Sequence, residues 1–87
     1  AAIATATTVS IVRILVDRPE VRARVGLAAV PTARWTSLAA ALKRADAADD
    51  IDQRDRALAD VDRVIDNDIH LSTYVARVTT TASLTWG

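Results

Sequence analysis

Aspartates crowd one stretch of this chain: Asp46, Asp49, Asp50, Asp52, Asp55, Asp60, Asp62, Asp66 and Asp68, with the single histidine, His70, two residues beyond the last. Carboxylates at this density could hold a divalent cation, and a carboxylate beside a histidine is half of a nucleophile-activating pair. The neighbours complete neither chemistry. A calcium loop needs alternate aspartates, a Gly at the sharp turn and a Glu at its twelfth position, and Asp66-Asn67-Asp68 supplies only the alternation. Around His70, hydroxyl residues are common, yet none sits on a tight Gly-flanked turn as an activated nucleophile would. A general acid–base pair needs two environments that push two pKa values apart, whereas these aspartates alternate with arginines on one solvated face. The expectation is no catalytic residue, no metal ligand, no cofactor and no enzyme activity. His70 is expected to hydrogen-bond a helix end.

The totals agree with a chain that works by packing and contact. Eighty-seven residues make one small domain, with no cysteine to staple it and no methionine or phenylalanine in its core. A chain of this size buries only about 60–65% of the surface its unfolded form exposes, so the core is thin. Stability must then come from packing or from another chain. Formal net charge is zero, which gives no basic stripe for nucleic acid or an anionic membrane surface. No apolar run approaches the roughly 18–20 residues of a membrane span. The chain opens Ala1-Ala2, as initiator-Met removal, a cleaved leader or a fragment would each leave it. The expected location is the cytoplasm or a large assembly, with secretion left open by that start.

The elements that would position these residues divide by period. Residues 3–16, IATATTVSIVRILV, are rich in β-branched side chains and apolar on both alternating faces from Val9 onward, which describes a strand covered on two sides. A helix over Thr8–Asp17 is the competing reading, because short apolar runs cannot be separated by periodicity alone. Pro19 and Glu20 then start a short helix over about 19–25, with Asp17 or Arg18 in the cap position and Gly26 as its left-handed stop. Thr32 can cap a helix over about 33–47, whose stripe is Trp35, Leu38, Ala39, Leu42 and Ala45. After Asp49-Asp50, a helix over about 51–66 carries Ile51, Leu58 and Ile65 seven apart, with Val61 and Val64 beside them. Its outer face offers Asp50–Arg54, Asp52–Arg56 and Arg56–Asp60 as four-residue ion pairs. These two helices make an antiparallel hairpin.

Residues 72–86, STYVARVTTTASLTW, alternate throughout. Tyr74, Ala76, Val78, Thr80, Ala82, Leu84 and Trp86 share one face, and Thr73, Val75, Arg77, Thr79, Thr81, Ser83 and Thr85 the other. That reads as a strand over about 71–86 with one buried and one wet face. The expected fold is therefore α+β, with long N- and C-terminal β-strands flanking a short helix and the antiparallel helical hairpin.

Function follows from the open edges of such strands. Few charges block them, so another chain is expected to supply the missing strand or layer. The expected function is a non-catalytic protein–protein interaction or assembly module, self-associating or docking into a larger complex through its terminal strands. Trp35, Tyr74, Val78, Leu84 and Trp86 are the expected partner-binding residues, because buried aromatic anchors dominate interface energetics. The alternative is a small helix-turn-helix DNA-binding regulator over residues 20–42, with Arg18, Arg22, Arg24, Arg34, Lys43 and Arg44 available for phosphates. Against it stand the zero net charge, Pro31 where the second helix should begin, and the long connection.

Overall fold

The computed structural model describes the backbone of residues 6–86 and the side chains of residues 6–80. It contains five helices in chain order: α1 (Ala6–Asp17), α2 (Pro19–Arg24), α3 (Thr32–Ala47), α4 (Ile51–Asp66) and α5 (Ile69–Trp86). Among the described residues there is no strand, so the α+β expectation is corrected to an all-α fold. Residues 3–5 of the expected first strand lie outside the described residues.

Both corrections have the same physical origin. In α1 the buried positions are Val12 and Leu15, with Val9, Ile11 and Val16 packed beside them. Their three- and four-residue spacing is helical, and an apolar surface on nearly every side suits a helix as well as a doubly covered strand. In α5, Leu71 and Val75 are buried and Tyr74 packs against the core. The alternation puts Val75 on the wet face, yet it lies four residues after Leu71 on the same helical stripe. Thr79, also assigned to the wet face, is half-buried and its hydroxyl oxygen is shielded from solvent. Threonine and valine cost a helix up to about 0.7 kcal/mol each relative to alanine. Tertiary burial of the stripe overrides that preference.

The connections are set by local chemistry. Arg18 precedes Pro19 and takes an extended conformation, φ −128° and ψ 89°, as the proline ring demands of the residue before it. The Arg18 N–H still donates to the Ile14 carbonyl at 3.0 Å, so α1 turns into α2 without losing its last bond. Gly26 ends α2 at φ +83°, as expected. Leu27 N–H donates to the Arg22 carbonyl at 2.9 Å and Gly26 N–H to the Ala23 carbonyl at 3.4 Å, the paired bonds of a Schellman stop. That stop delivers Leu27 into the core. Thr32 is the first residue of α3 rather than its cap, the cap position being Pro31. Asp50 caps α4 by accepting the Gln53 N–H at 2.8 Å, while Gln53 Oε1 accepts the Asp49 N–H at 3.2 Å.

α3 and α4 form the expected antiparallel hairpin, and α1 packs on α3 while α5 packs on α4 and α1. One cluster joins Val12 and Leu15, Leu27 and Val30, Trp35, Leu38, Ala41 and Leu42, Val61 and Ile65, and Leu71 and Val75. A smaller one, Ala45, Ala57 and Leu58, seals the turn end of the hairpin against Val9. Small side chains at 41, 45 and 57 let the two backbones approach closely. Ile51 departs from the expected stripe of α4: it is 72% exposed. Among the described residues, no helix is long and apolar enough to cross a membrane.

Candidate functional site

Among the described residues, Trp35 does not share a surface with Tyr74 and Val78. Trp35 is only 6% exposed and belongs to the central core. The Arg22 guanidinium lies over its ring, 4.8 Å from the centroid, a cation–π contact that covers the indole's outer face. Tyr74 is half-buried against that core, and Val78 is half-buried farther along α5. The side chains of Leu84 and Trp86 lie outside the described residues. The structure thus assigns Trp35 to the interior and leaves Tyr74 and Val78 on the flank of α5.

Acidic residues spread over separate tasks. Among the described residues, no three His, Asp or Glu side chains gather where a metal could sit. Arg13 of α1 donates to both Asp46 carboxylate oxygens, at 2.9 and 2.5 Å. The hydrogen bond to Arg13 holds Asp46 below the usual carboxylate range and raises Arg13 in turn. Any stability from this pair is present above the ordinary aspartate pKa and is lost as the pH falls through the lowered one. The pair is well exposed, where ion pairs contribute little. Asp60 receives Arg44 from α3 at 3.1 Å and Arg63 at 3.2 Å. The expected pairs Asp50–Arg54, Asp52–Arg56 and Arg56–Asp60 do not form among the described residues; within α4 the ion pair is instead Asp60–Arg63, three residues apart, and Asp60 also reaches α3.

Asp68 and Asp62 are the two acids that the fold encloses. Asp68 is 8% exposed, and its Oδ1 accepts the Leu71 N–H at 3.0 Å while Oδ2 faces Arg34 Nε at 3.4 Å. It caps α5 and ties that cap to the first turn of α3. The acidic run hides this role of Asp68, although Asp followed three residues later by the first stripe residue is a helix-start signal. Asp62 Oδ2 is buried with no hydrogen-bond partner among the described residues. That burial, and the Asp66 carboxylate four residues on, push its pKa up. A raised pKa means that the charged form is the one the fold disfavours, so the penalty exists above that pKa and disappears as the pH falls through it. Asp62→Asn is expected to match or exceed the native chain in thermal stability at neutral pH, with any advantage shrinking on acidification. A variant that melts lower at neutral pH would show that Oδ2 has a partner in solution.

His70 lies exposed in the first turn of α5, beside a cleft of about 270 Å³ that Val25, Gly26, Leu27, Ile69, Thr73, Tyr74 and Arg77 also line. No carboxylate lies within ion-pair distance of its ring among the described residues, and it makes no hydrogen bond to a helix end there. The basic residues of the helix-turn-helix reading are partly engaged within the fold, Arg22 over Trp35 and Arg34 with Asp68. Residues 25–31 separate α2 from α3, a longer connection than the three- or four-residue turn of that motif. No protein-family model, curated protein or solved structure matches this chain.

Proposed function

We propose that this chain is a non-catalytic protein–protein interaction module that self-associates or docks into a larger complex through its terminal helices, in the cytoplasm or within an assembly. The observation that carries this reading is the division of charge. α4 holds Asp52, Arg54, Asp55, Arg56, Asp60, Asp62, Arg63 and Asp66 within its sixteen residues. α1 holds Arg13 and Asp17 alone, and Arg13 is engaged by Asp46. α5 carries one full charge, Arg77, among eighteen residues. The flanks of the terminal helices are instead Thr, Ser, Ala and large aliphatics, with Ile14 51% exposed on α1 and Ile69 73% exposed on α5. Charge depletion with apolar side chains left outside is the composition of an interface core. Side-chain contact on helix faces takes the place of strand-edge hydrogen bonding as the mode of docking.

Sedimentation at tens of micromolar, with chemical crosslinking in the source cells, tests the reading. The chain should sediment above its monomer mass or be recovered in fixed ratio with a second protein. A monomer that crosslinks to nothing would end this reading.

A further inference from the structure

The hairpin of α3 and α4 carries a groove that α1 and α5 do not cover. Two overlapping clefts of about 370 and 300 Å³ run along it, and no residue of α1, α2 or α5 lines either one. Its floor is made of small side chains: Ala33, Ser37, Ala40 and Ala41 recur along α3 at three- and four-residue steps, with Val64 of α4 beside them. From Ala33 to Arg44 the stripe runs for about 16 Å, or three helical turns. Its rim is cationic. Arg34, Arg44 and Arg63 line the clefts against one acid, Asp60. Asp68 answers Arg34, so Arg44 and Arg63 share the single Asp60 carboxylate, one on each oxygen at 3.1 and 3.2 Å. With both acids counted against the three arginines, the groove keeps one net positive charge. Asp66 adjoins the lining residue Asn67 but acts on Asp62, four residues before it, on the other flank of α4. Arg56, one turn before Asp60, adds a cation, and Asp52, a turn earlier, balances only that one. The Arg44 and Arg63 side chains are 58% and 71% exposed and, among the described residues, bond nothing beyond Asp60. Two guanidinium forks sharing one carboxylate keep N–H donors free for a further carboxylate.

We propose that this groove docks an acidic amphipathic helix of a partner protein, its apolar stripe on the alanines and its Asp or Glu flank on Arg44 and Arg63. The occupant is a helix because both walls are helices, whose amides are already bonded internally and offer an extended peptide no main-chain partner. The small floor lets that third helix approach closely, ridge into groove. Carboxylates select it, since each takes the guanidinium donors that Asp60 leaves free. The groove is separate from the terminal helices, so the chain holds two docking faces and joins two partners at once.

Selection from a displayed library of Ala-rich helical peptides with randomised flanks, with the whole chain as bait, tests it. Winners should be enriched in Asp and Glu along one flank and should bind more weakly as salt rises from about 0.05 to 0.5 M. Titrated into the labelled chain, they should shift the amide resonances of residues 33–44 and 60–67. Arg44→Ala and Arg63→Ala should each weaken binding about tenfold. Ala40→Trp fills the groove and should abolish binding, and because Ala40 is exposed the melting temperature should hold. Asp60→Asn is the sharpest arm. It releases both guanidinia, so acidic winners should bind about threefold tighter or better, whereas a merely structural Asp60 would leave the affinity level or lower. The ion pairs it removes lie at the surface, so the fold should tolerate their loss. No winner, winners without acidic enrichment, acidic winners indifferent to Arg44 and Arg63, or amide shifts confined to α1 and α5 would each overturn the inference. The last of these would leave docking through the terminal helices standing.

Discussion

Trp35→Ala is expected to lower stability by about 3–5 kcal/mol. For a chain of this length, folding is worth only about 4–13 kcal/mol in total. The variant should therefore unfold at a much lower urea concentration, or fail to fold at physiological temperature. Trp35 belongs to the central cluster, with Leu27, Val30, Leu38 and residues of α1 and α5. Truncation would leave a cavity that these neighbours cannot fill without moving backbones, and Arg22 would lose the ring beneath it. Urea unfolding followed by circular dichroism gives the midpoint. If the midpoint held while self-association disappeared, Trp35 would be a surface anchor and its placement in the core would be wrong.

Asp68→Ala comes next in size, at about 2 kcal/mol, or roughly 8–16 °C in melting temperature. The substitution removes the acceptor for the Leu71 N–H inside the fold and strips Arg34 of its carboxylate. Asp68→Asn separates the two roles, since an amide oxygen can still accept the Leu71 N–H while the charge is gone. It should cost about 1 kcal/mol or less, because the Arg34 side chain is a third exposed and its ion pair is partly screened. Equal melting temperatures for the two variants would mean that the cap contributes nothing. A large loss in both would make the ion pair dominant.

The three inner helices were legible in the sequence because punctuation and period agreed there. Pro19 and Gly26 bracket α2, Asp50 caps α4, and of the stripe Trp35, Leu38, Ala39, Leu42 and Ala45 all but Ala39 are buried, Ala39 being half-buried and Ala41 buried in its place. The terminal elements were misread because β-branched residues and a two-residue alternation can coexist with a helical stripe. In STYVARVTTTASLTW the positions 74 and 78 satisfy both periods, and only the joint burial of Leu71 and Val75 decides between them. The cap at Asp68 carried the deciding local signal, hidden by its place in a run of aspartates. The fate of Trp35 was hidden for another reason. Sequence shows that a large aromatic must be covered, but not whether its cover is this chain or a neighbour. Ile51 fails in the opposite sense: its seven-residue spacing to Leu58 promised burial, while the hairpin closes one turn too late to reach it.

The hairpin of α3 and α4 is closed by only residues 48–50, so its contacts join segments close in sequence and cost little loop entropy to form. α1 and α5 dock onto this hairpin, and among the described residues each places fewer side chains deep in the core than α3 or α4 does. In the native ensemble these outer helices are therefore the first to detach and the last to return. A partner that grips them binds the closed form alone and shifts that equilibrium by mass action. If the proposed partner does so, assembly and completion of the fold become one thermodynamic event.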